Sequence, residues 1–259
     1  MLIKYITFLI FFIFPSSLLS DINIDRYMYS IQYSNVSIAK ITVTVSNDKN
    51  QISYSAEALS DGLVDQFNSF KSKLEGKMYK KLNEYFPINY NLISTYKGIT
   101  RKSNVTWNNQ INDLTINVIP EQDFKKVKKI PKISIINVVD PFTALINMID
   151  NLKINNSCTN SFRIFDGRRR YDLETIELKR SYIEKDRPKT YEGKVIICGL
   201  RFFPIGGHYI ESKWDPEDDK FSDIKLYFGF NNQKIFPVKL EVERWFGKII
   251  SRIMLLNNS

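Results

Sequence analysis

The chain has 259 residues and a formal net charge of +9; 43 % of it is hydrophobic, 25 % charged and 14 % aromatic. That balance is globular and excludes collagen-like, disordered and multi-span membrane classes, and the length suits one domain or two small ones. One His and two Cys exclude a metal centre built on several histidines or cysteines.

Residues 1–20, MLIKYITFLIFFIFPSSLLS, have the layout of a secretory signal peptide. Lys4 supplies the positive start, Tyr5 to Phe14 an uncharged apolar core, and Pro15 a break before Ser16, Ser17 and Ser20. The apolar core is shorter than the roughly 20 residues a bilayer span requires. The expectation is export to the periplasm, cleavage after Ser20, and a single β-rich domain over 21–259. Leu18 stands where a small residue is preferred, so an uncleaved anchor is the alternative. Cys158 and Cys198 are an even pair in an exported context and are expected to form a disulfide. Closing that loop is worth roughly 3–4 kcal/mol in the chain-entropy model. The competing reading is a catalytic thiol with His208 as its base.

Period-two alternation then predicts strands through most of the chain. They run over Tyr27–Tyr33, Ala39–Val45, Ile52–Ala58, Phe70–Met78, Ile88–Leu92, Val105–Trp107 and Leu114–Val118, with a short helical turn over Asp61–Phe67. Pro120–Lys132 holds Lys125, Lys126, Lys128 and Lys129 and reads as a solvated connection, with a dedicated anion patch as the alternative. One helix follows, over about 140–153. Asp140 is a good N-cap, Pro141 suits the first turn, and Phe142, Leu145, Ile146, Ile149 and Leu152 form one apolar stripe. Strands resume around Phe162, Tyr171, Val195, Ile224 and Val238 and over Ile249–Leu256. About a dozen strands joined by short loops predict a mainly β fold. The expected architecture is a large curved antiparallel sheet or half-open barrel with the helix covering one face or mouth.

The segment Ser161–Leu173 is the most informative. Asp166-Gly167 between two strand-like runs signals a two-residue type I′ hairpin. That register pairs Phe165 with Arg168, Ile164 with Arg169, Arg163 with Arg170 and Phe162 with Tyr171. Arg169 then points to the apolar face and needs a buried carboxylate, for which Asp140 is the candidate. Arg163 and Arg170 stand opposite each other, an unfavourable pairing. Together with Arg168 they are candidate contacts for an anionic ligand; the alternative is an exposed ladder relieved by neighbouring acids.

These motifs carry a resemblance. Asp140-Pro141-Phe142-Thr143-Ala144-Leu145, Cys158, the run Phe165 to Leu173, Cys198 followed by Pro204-Ile205-Gly206-Gly207, and the closing Phe236–Gly247 segment resemble an exported bacterial family, the domain-of-unknown-function 3108 family. Pro87 and Tyr90 fit its pattern too. Where that family's first hairpin tends to carry Gly, this chain has Asn35-Val36 and Ile38-Ala39. The resemblance implies a periplasmic protein and brings no catalytic residues. A more distant likeness is to curved-sheet lipoprotein carriers.

Other chemistry is thinly represented. His208 follows Gly206-Gly207, which permit close backbone approach; it is a weak candidate site residue beside a structural reading. Trp214–Asp219 is an acidic turn without the spacing of a calcium loop. No phosphate-binding glycine loop or dinucleotide fingerprint occurs. No cofactor, metal or nucleic-acid partner is expected, and the basic charge suits anionic lipid or envelope glycan. The leading expectation is a non-enzymatic periplasmic binding or carrier protein for an apolar or amphiphilic ligand. The alternatives are an envelope interaction protein with a filled core, and a glycan hydrolase acting through carboxylates.

Overall fold

The computed structural model describes residues 23–62, 65, 69–108, 113–211, 220–231, 234–244 and 247–255. The expected signal peptide, most of the Asp61–Phe67 turn and all of the acidic turn at Trp214–Asp219 lie outside the described residues.

The first seven strands are β1 (Asn23–Tyr33), β2 (Val36–Asp48), β3 (Gln51–Ser60), β4 (Phe70–Lys81), β5 (Glu84–Tyr96), β6 (Ile99–Asn108) and β7 (Asp113–Ile119). After a long connection comes helix α1 (Pro141–Asn155). The chain then runs through β8 (Asn160–Phe165), β9 (Arg170–Ile183), β10 (Gly193–Gly206), β11 (Ile224–Asn231), β12 (Lys234–Arg244) and β13 (Gly247–Met254). All thirteen belong to one sheet, ordered β7-β6-β5-β4-β3-β2-β1-β13-β12-β11-β10-β9-β8, with antiparallel neighbours throughout. Two meanders, β1–β7 and β8–β13, are joined by the pairing of β1 with β13. The sheet does not close; β7 and β8 are its edges. At the β1–β2 turn Ser34 and Asn35 both take positive φ, 46° and 70°. Asn tolerates that conformation, so the turn forms without glycine.

The sheet curls around α1. Ala144, Met148 and Leu152 pack against Phe162, Leu173, Leu226 and Phe228 from β8, β9 and β11. Phe142 and Ile146 pack against Ile52, Tyr54, Met78 and Tyr85 from β3, β4 and β5. No residue from Pro141 to Leu152 is exposed. The helix is enclosed more widely than a single stripe: Thr143, Ala144, Met148 and Leu152 are buried and the other residues from Pro141 to Asn151 are half-buried. It starts at Asp140, whose carboxylate accepts the N–H groups of Phe142 (2.8 Å) and Thr143 (3.0 Å), and ends at Asn156 in left-handed conformation (φ 54°).

The segment just before α1 reinforces the seam between the two ends of the sheet. Val139 bonds to the outer edge of β8 at both Arg163 O and Phe165 N, each at 2.9 Å. The Val138 carbonyl accepts the indole N–H of Trp107 from β6 at 2.9 Å. Tyr54 Oη donates to Asp140 Oδ1 at 3.0 Å. Strand β10 is buried on both faces from Val195 to Leu200, and a second cluster around Tyr191, Tyr227 and Phe236 covers its far side.

The expected disulfide is present: Cys158 and Cys198, both fully buried, have Cα atoms 6.2 Å apart and tie the approach to β8 onto β10. Intact mass after alkylation should rise by two blocked thiols only when the chain is first reduced and unfolded. Replacing both cysteines by Ala should lower the unfolding free energy by about 2–4 kcal/mol in urea titration.

On β12, burial alone would raise the Glu241 pKa, but ion pairs with Lys239 (2.6 Å) and Lys248 (3.0 Å) override it and hold the carboxylate at about 2, against an ordinary 4.5. A folded-state value below the unfolded one stabilises the fold above pH about 4.5 and loses that contribution as pH falls toward 2. Urea midpoints measured between pH 6 and 2 should therefore drop less steeply in Glu241→Gln than in the parent.

Candidate functional site

The β8–β9 hairpin carries most of the expected site residues, and its register differs from expectation. Phe165 pairs with Arg170, Ile164 with Tyr171, Arg163 with Asp172 and Phe162 with Leu173. The turn centres on Gly167-Arg168 instead of Asp166-Gly167. The reason lies in the Asp166 side chain, which accepts the N–H groups of Arg168 (2.9 Å) and Arg169 (2.6 Å), while Asp166 N donates back to Arg169 O. Asp therefore sits at the first turn position and Gly at the second, where φ is +86°. A Cβ on Gly167 would also strike Ser103 Oγ on β6. Ser103 Oγ donates to Asp166 O at 2.7 Å, so the hairpin tip is seated against the opposite limb of the sheet.

The turn moves by one residue, which shifts partners by two and leaves the strand residues on their expected faces, while Arg168 and Arg169 fall in the turn. Phe162, Ile164 and Leu173 face α1, and Phe165 packs on Tyr90, Val105 and Trp107. The like-charge opposition disappears: Arg163 faces Asp172 across the strands.

The expected Arg169–Asp140 pair is not formed. Asp140 is fully buried and is satisfied by Tyr54, Phe142 and the Thr143 N–H and hydroxyl. Burial pushes its pKa up, and hydrogen bonds from Thr143, Tyr54 and Phe142 pull it back. The carboxylate held against Arg169 is Asp166, at 3.1 Å, and the Arg169 side chain is exposed. The buried arginine is Arg170, 2 % accessible, paired with Asp172 at 2.6 Å.

All three arginines expected to meet an anion bond to backbone carbonyls. Arg163 and Arg170 both donate to Ser134 O, at 3.0 and 2.6 Å, and Arg168 donates to Pro120 O (2.7 Å) and Lys102 O (3.2 Å). They staple the 120–139 connection over the hairpin. Gly207 (φ 81°) lies so close to Arg168 O that any side chain there would collide with it.

Two concavities surround this hairpin. One, about 490 Å³, brings together Asp166, Arg169, Arg170, His208 and Arg244 with the apolar walls Tyr90, Leu92, Tyr171 and Phe202. His208, the weak sequence candidate, is thus placed beside the arginines. Its pKa is pushed down by burial first and by Lys128 second, which keeps it neutral at pH 7. Its Nδ1 is buried and finds no hydrogen-bond partner among the described residues. Burial, and secondarily the Asp166 charge, raise the pKa of Tyr90 and Tyr171, so both phenols stay neutral. Arg244 reaches Asp223 at 4.0 Å. The other concavity, about 780 Å³, runs along the seam from Trp107 and Asp113 to Asn147, Asn151, Ser161 and Arg163. Its acids, Glu84 and Asp113, are both exposed. Among the described residues no group of three His, Cys, Asp or Glu is placed to hold a metal ion.

Tyr90, Phe202 and Arg244 escaped sequence reasoning because each looks like an ordinary strand residue until the sheet curls. Asp166 alone left a local sign, an Asp directly before Gly, which reports a turn.

The architecture defines a class: a β-barrel-like open sheet wrapped on an internal helix. It shares this fold with a beta-barrel-like protein of domain of unknown function DUF1849 from Brucella abortus (6 % identity, TM-score 0.52, 89 % of this chain and 95 % of that chain). Residues 28–254 match the model of the family described as protein of unknown function (DUF3108), and the chain belongs to that family. No curated protein matches it.

Asp166→Ala removes the acceptor for two turn N–H groups and for Arg169 Nε. It should cost about 1–2 kcal/mol in urea unfolding and speed hydrogen exchange at the Arg168 and Arg169 amides. Asp166→Asn should recover most of that loss.

Proposed function

We propose that the protein is a non-enzymatic binding protein for a small amphiphilic anion. The observation that carries this reading is the 490 Å³ pocket, where Arg169, Arg170 and His208 meet the walls made by Tyr90, Leu92, Tyr171 and Phe202. Its volume falls in the range of small-molecule sites, and apolar walls with a few polar groups are their usual lining. The ligand's anionic head would lie toward Arg169, whose ion pair with Asp166 engages Nε of a five-donor guanidinium. Its apolar body would lie on the aromatic rings.

The internal helix restricts the ligand's size. A carrier of long acyl chains needs an open concave face, and here α1 packs against both limbs of the sheet. That filled core also favours a second reading, an envelope interaction protein without a ligand. Under either reading we place the protein in the periplasm, on the signal-like residues 1–20 and the paired cysteines.

Two measurements test the pocket. Protein purified from the periplasm without detergent, extracted and analysed by mass spectrometry, should release a stoichiometric amphiphile. Anilinonaphthalene sulfonate, an aromatic sulfonate probe, should bind in a saturable one-to-one manner and be displaced by decanoate. Arg169→Gln should weaken that binding about tenfold, the worth of one charge-assisted hydrogen bond. A protein that carries nothing and binds neither probe sends the function to protein partners.

A further inference from the structure

The surface beside the pocket is built from two segments that the fold holds together. Lys128 N donates to His208 O (2.9 Å), Gly207 N to Lys128 O (2.7 Å) and Ile210 N to Lys126 O (2.9 Å). A short antiparallel ribbon, with one bridge between Val127 and Tyr209, results from a connection that reads in sequence as a solvated loop. Arg168, by its bonds to Pro120 O and Lys102 O, draws β6 to the same surface, and Gln122 Nε2 bonds to Arg168 O at 2.8 Å.

Two features coincide there. Lys125, Lys126, Lys128, Lys129, Arg101 and Lys102 are all exposed. The exposed acids in the same stretches are Glu121, Asp123 and Glu211, and Asp123 lies 3.8 Å from Lys126. The same segments hold three large apolar side chains in water: Phe124 (57 % accessible), Tyr209 (56 %) and Ile210 (60 %). Isolated exposed apolar residues are ordinary, but apolar residues grouped on one ribbon and rimmed by cations mark an interaction surface.

We propose that this face docks the protein on a bilayer surface rich in anionic lipid. Phe124, Tyr209 and Ile210 enter the headgroup layer while the lysines and Arg101 meet lipid phosphates. Charge complementarity supplies attraction over about a Debye length, and the apolar side chains supply the contact. A soluble polyanion would use the cations equally well but would leave the three apolar side chains in water, which is why the lipid surface is the better fit. The inference is independent of what the pocket binds.

The test is co-sedimentation with vesicles, using the chain from Asp21 onward, which carries every described element and keeps the acidic run Asp215–Asp219 in place. Vesicles of phosphatidylglycerol with phosphatidylcholine should bind the protein, and pure phosphatidylcholine vesicles should bind it far less. Added salt should release it. Lys125→Gln with Lys126→Gln should weaken binding roughly 25-fold, about fivefold per lysine near a charged surface. Phe124→Ser with Ile210→Ser should weaken it on the order of tenfold without changing the salt dependence. All four positions are exposed, and thermal melts check that the fold is kept; if the apolar pair unfolds the chain, Phe124→Ser alone serves. Equal binding to both vesicle types, or none to either, overturns the proposal. So does full binding by the apolar variant combined with displacement by heparin, which would assign the face to an anionic polymer.

Discussion

The Asp140 carboxylate is the point on which the concave side of the molecule depends. A carboxylate moved out of water costs several kcal/mol unless its lone pairs are engaged. Here Tyr54 Oη, two backbone N–H groups and the Thr143 hydroxyl engage them. The same group caps α1, where the helix dipole favours negative charge. It therefore links β3 to the helix. Its chain neighbours Val139 and Val138 link the helix to β8 and to Trp107 of β6. Three consecutive residues thus connect both limbs of a sheet that is not hydrogen-bonded into a closed barrel. The Arg168 and Arg170 staples extend that link outward over the hairpin tip.

What could be read from the sequence follows from the range of each signal. Strand β4 alternates Ser72, Leu74, Gly76 and Met78 against Lys71, Lys73, Glu75 and Lys77, and its burial follows suit, because one face meets the core and the other meets water. The Asp140-Pro141 start of the helix was legible because capping is local. Faces in the β8–β9 hairpin were legible too, since side-chain parity survives a two-residue slip. The register itself was not, because it turns on whether the Asp166 side chain caps the turn, a contest between two local geometries of similar energy. The partner of Arg169 followed from that register and was wrong with it. Longer-range facts had no local sign at all. Nothing in Pro120–Lys132 announces that Lys126–Lys128 pairs with Gly207–Ile210, and nothing in α1 announces that two opposite limbs of the sheet bury it. The pocket is of this kind, being made where β5, the hairpin tip and the ends of β10 and β12 converge.

The curled sheet and the internal helix have opposite effects on capacity for a ligand. Curling creates a concave side, and the helix occupies it with Ala144, Met148 and Leu152 on one side and Phe142 and Ile146 on the other. The space that remains lies at the rim, where the packing of α1 ends and charged residues replace apolar ones. A rim site exchanges with solvent more readily than a closed cavity does, and its selectivity comes from a few polar groups more than from enclosure.

The joining of the two meanders through β1 and β13 sets an order on the molecule's assembly. Within each meander, strands pair with their sequence neighbours, so each half is built from short-range contacts that form early. The contact that makes them one sheet joins Tyr33 to Ile249 and Met28 to Met254, across almost the whole chain. A chain growing from its N-terminus lacks β13 until Gly247–Met254 has been made. Until then β1 remains an unpaired edge and the sheet cannot wrap the helix. The two meanders therefore become one sheet only when β13 is added, a long-range step that follows the short-range pairing within each half.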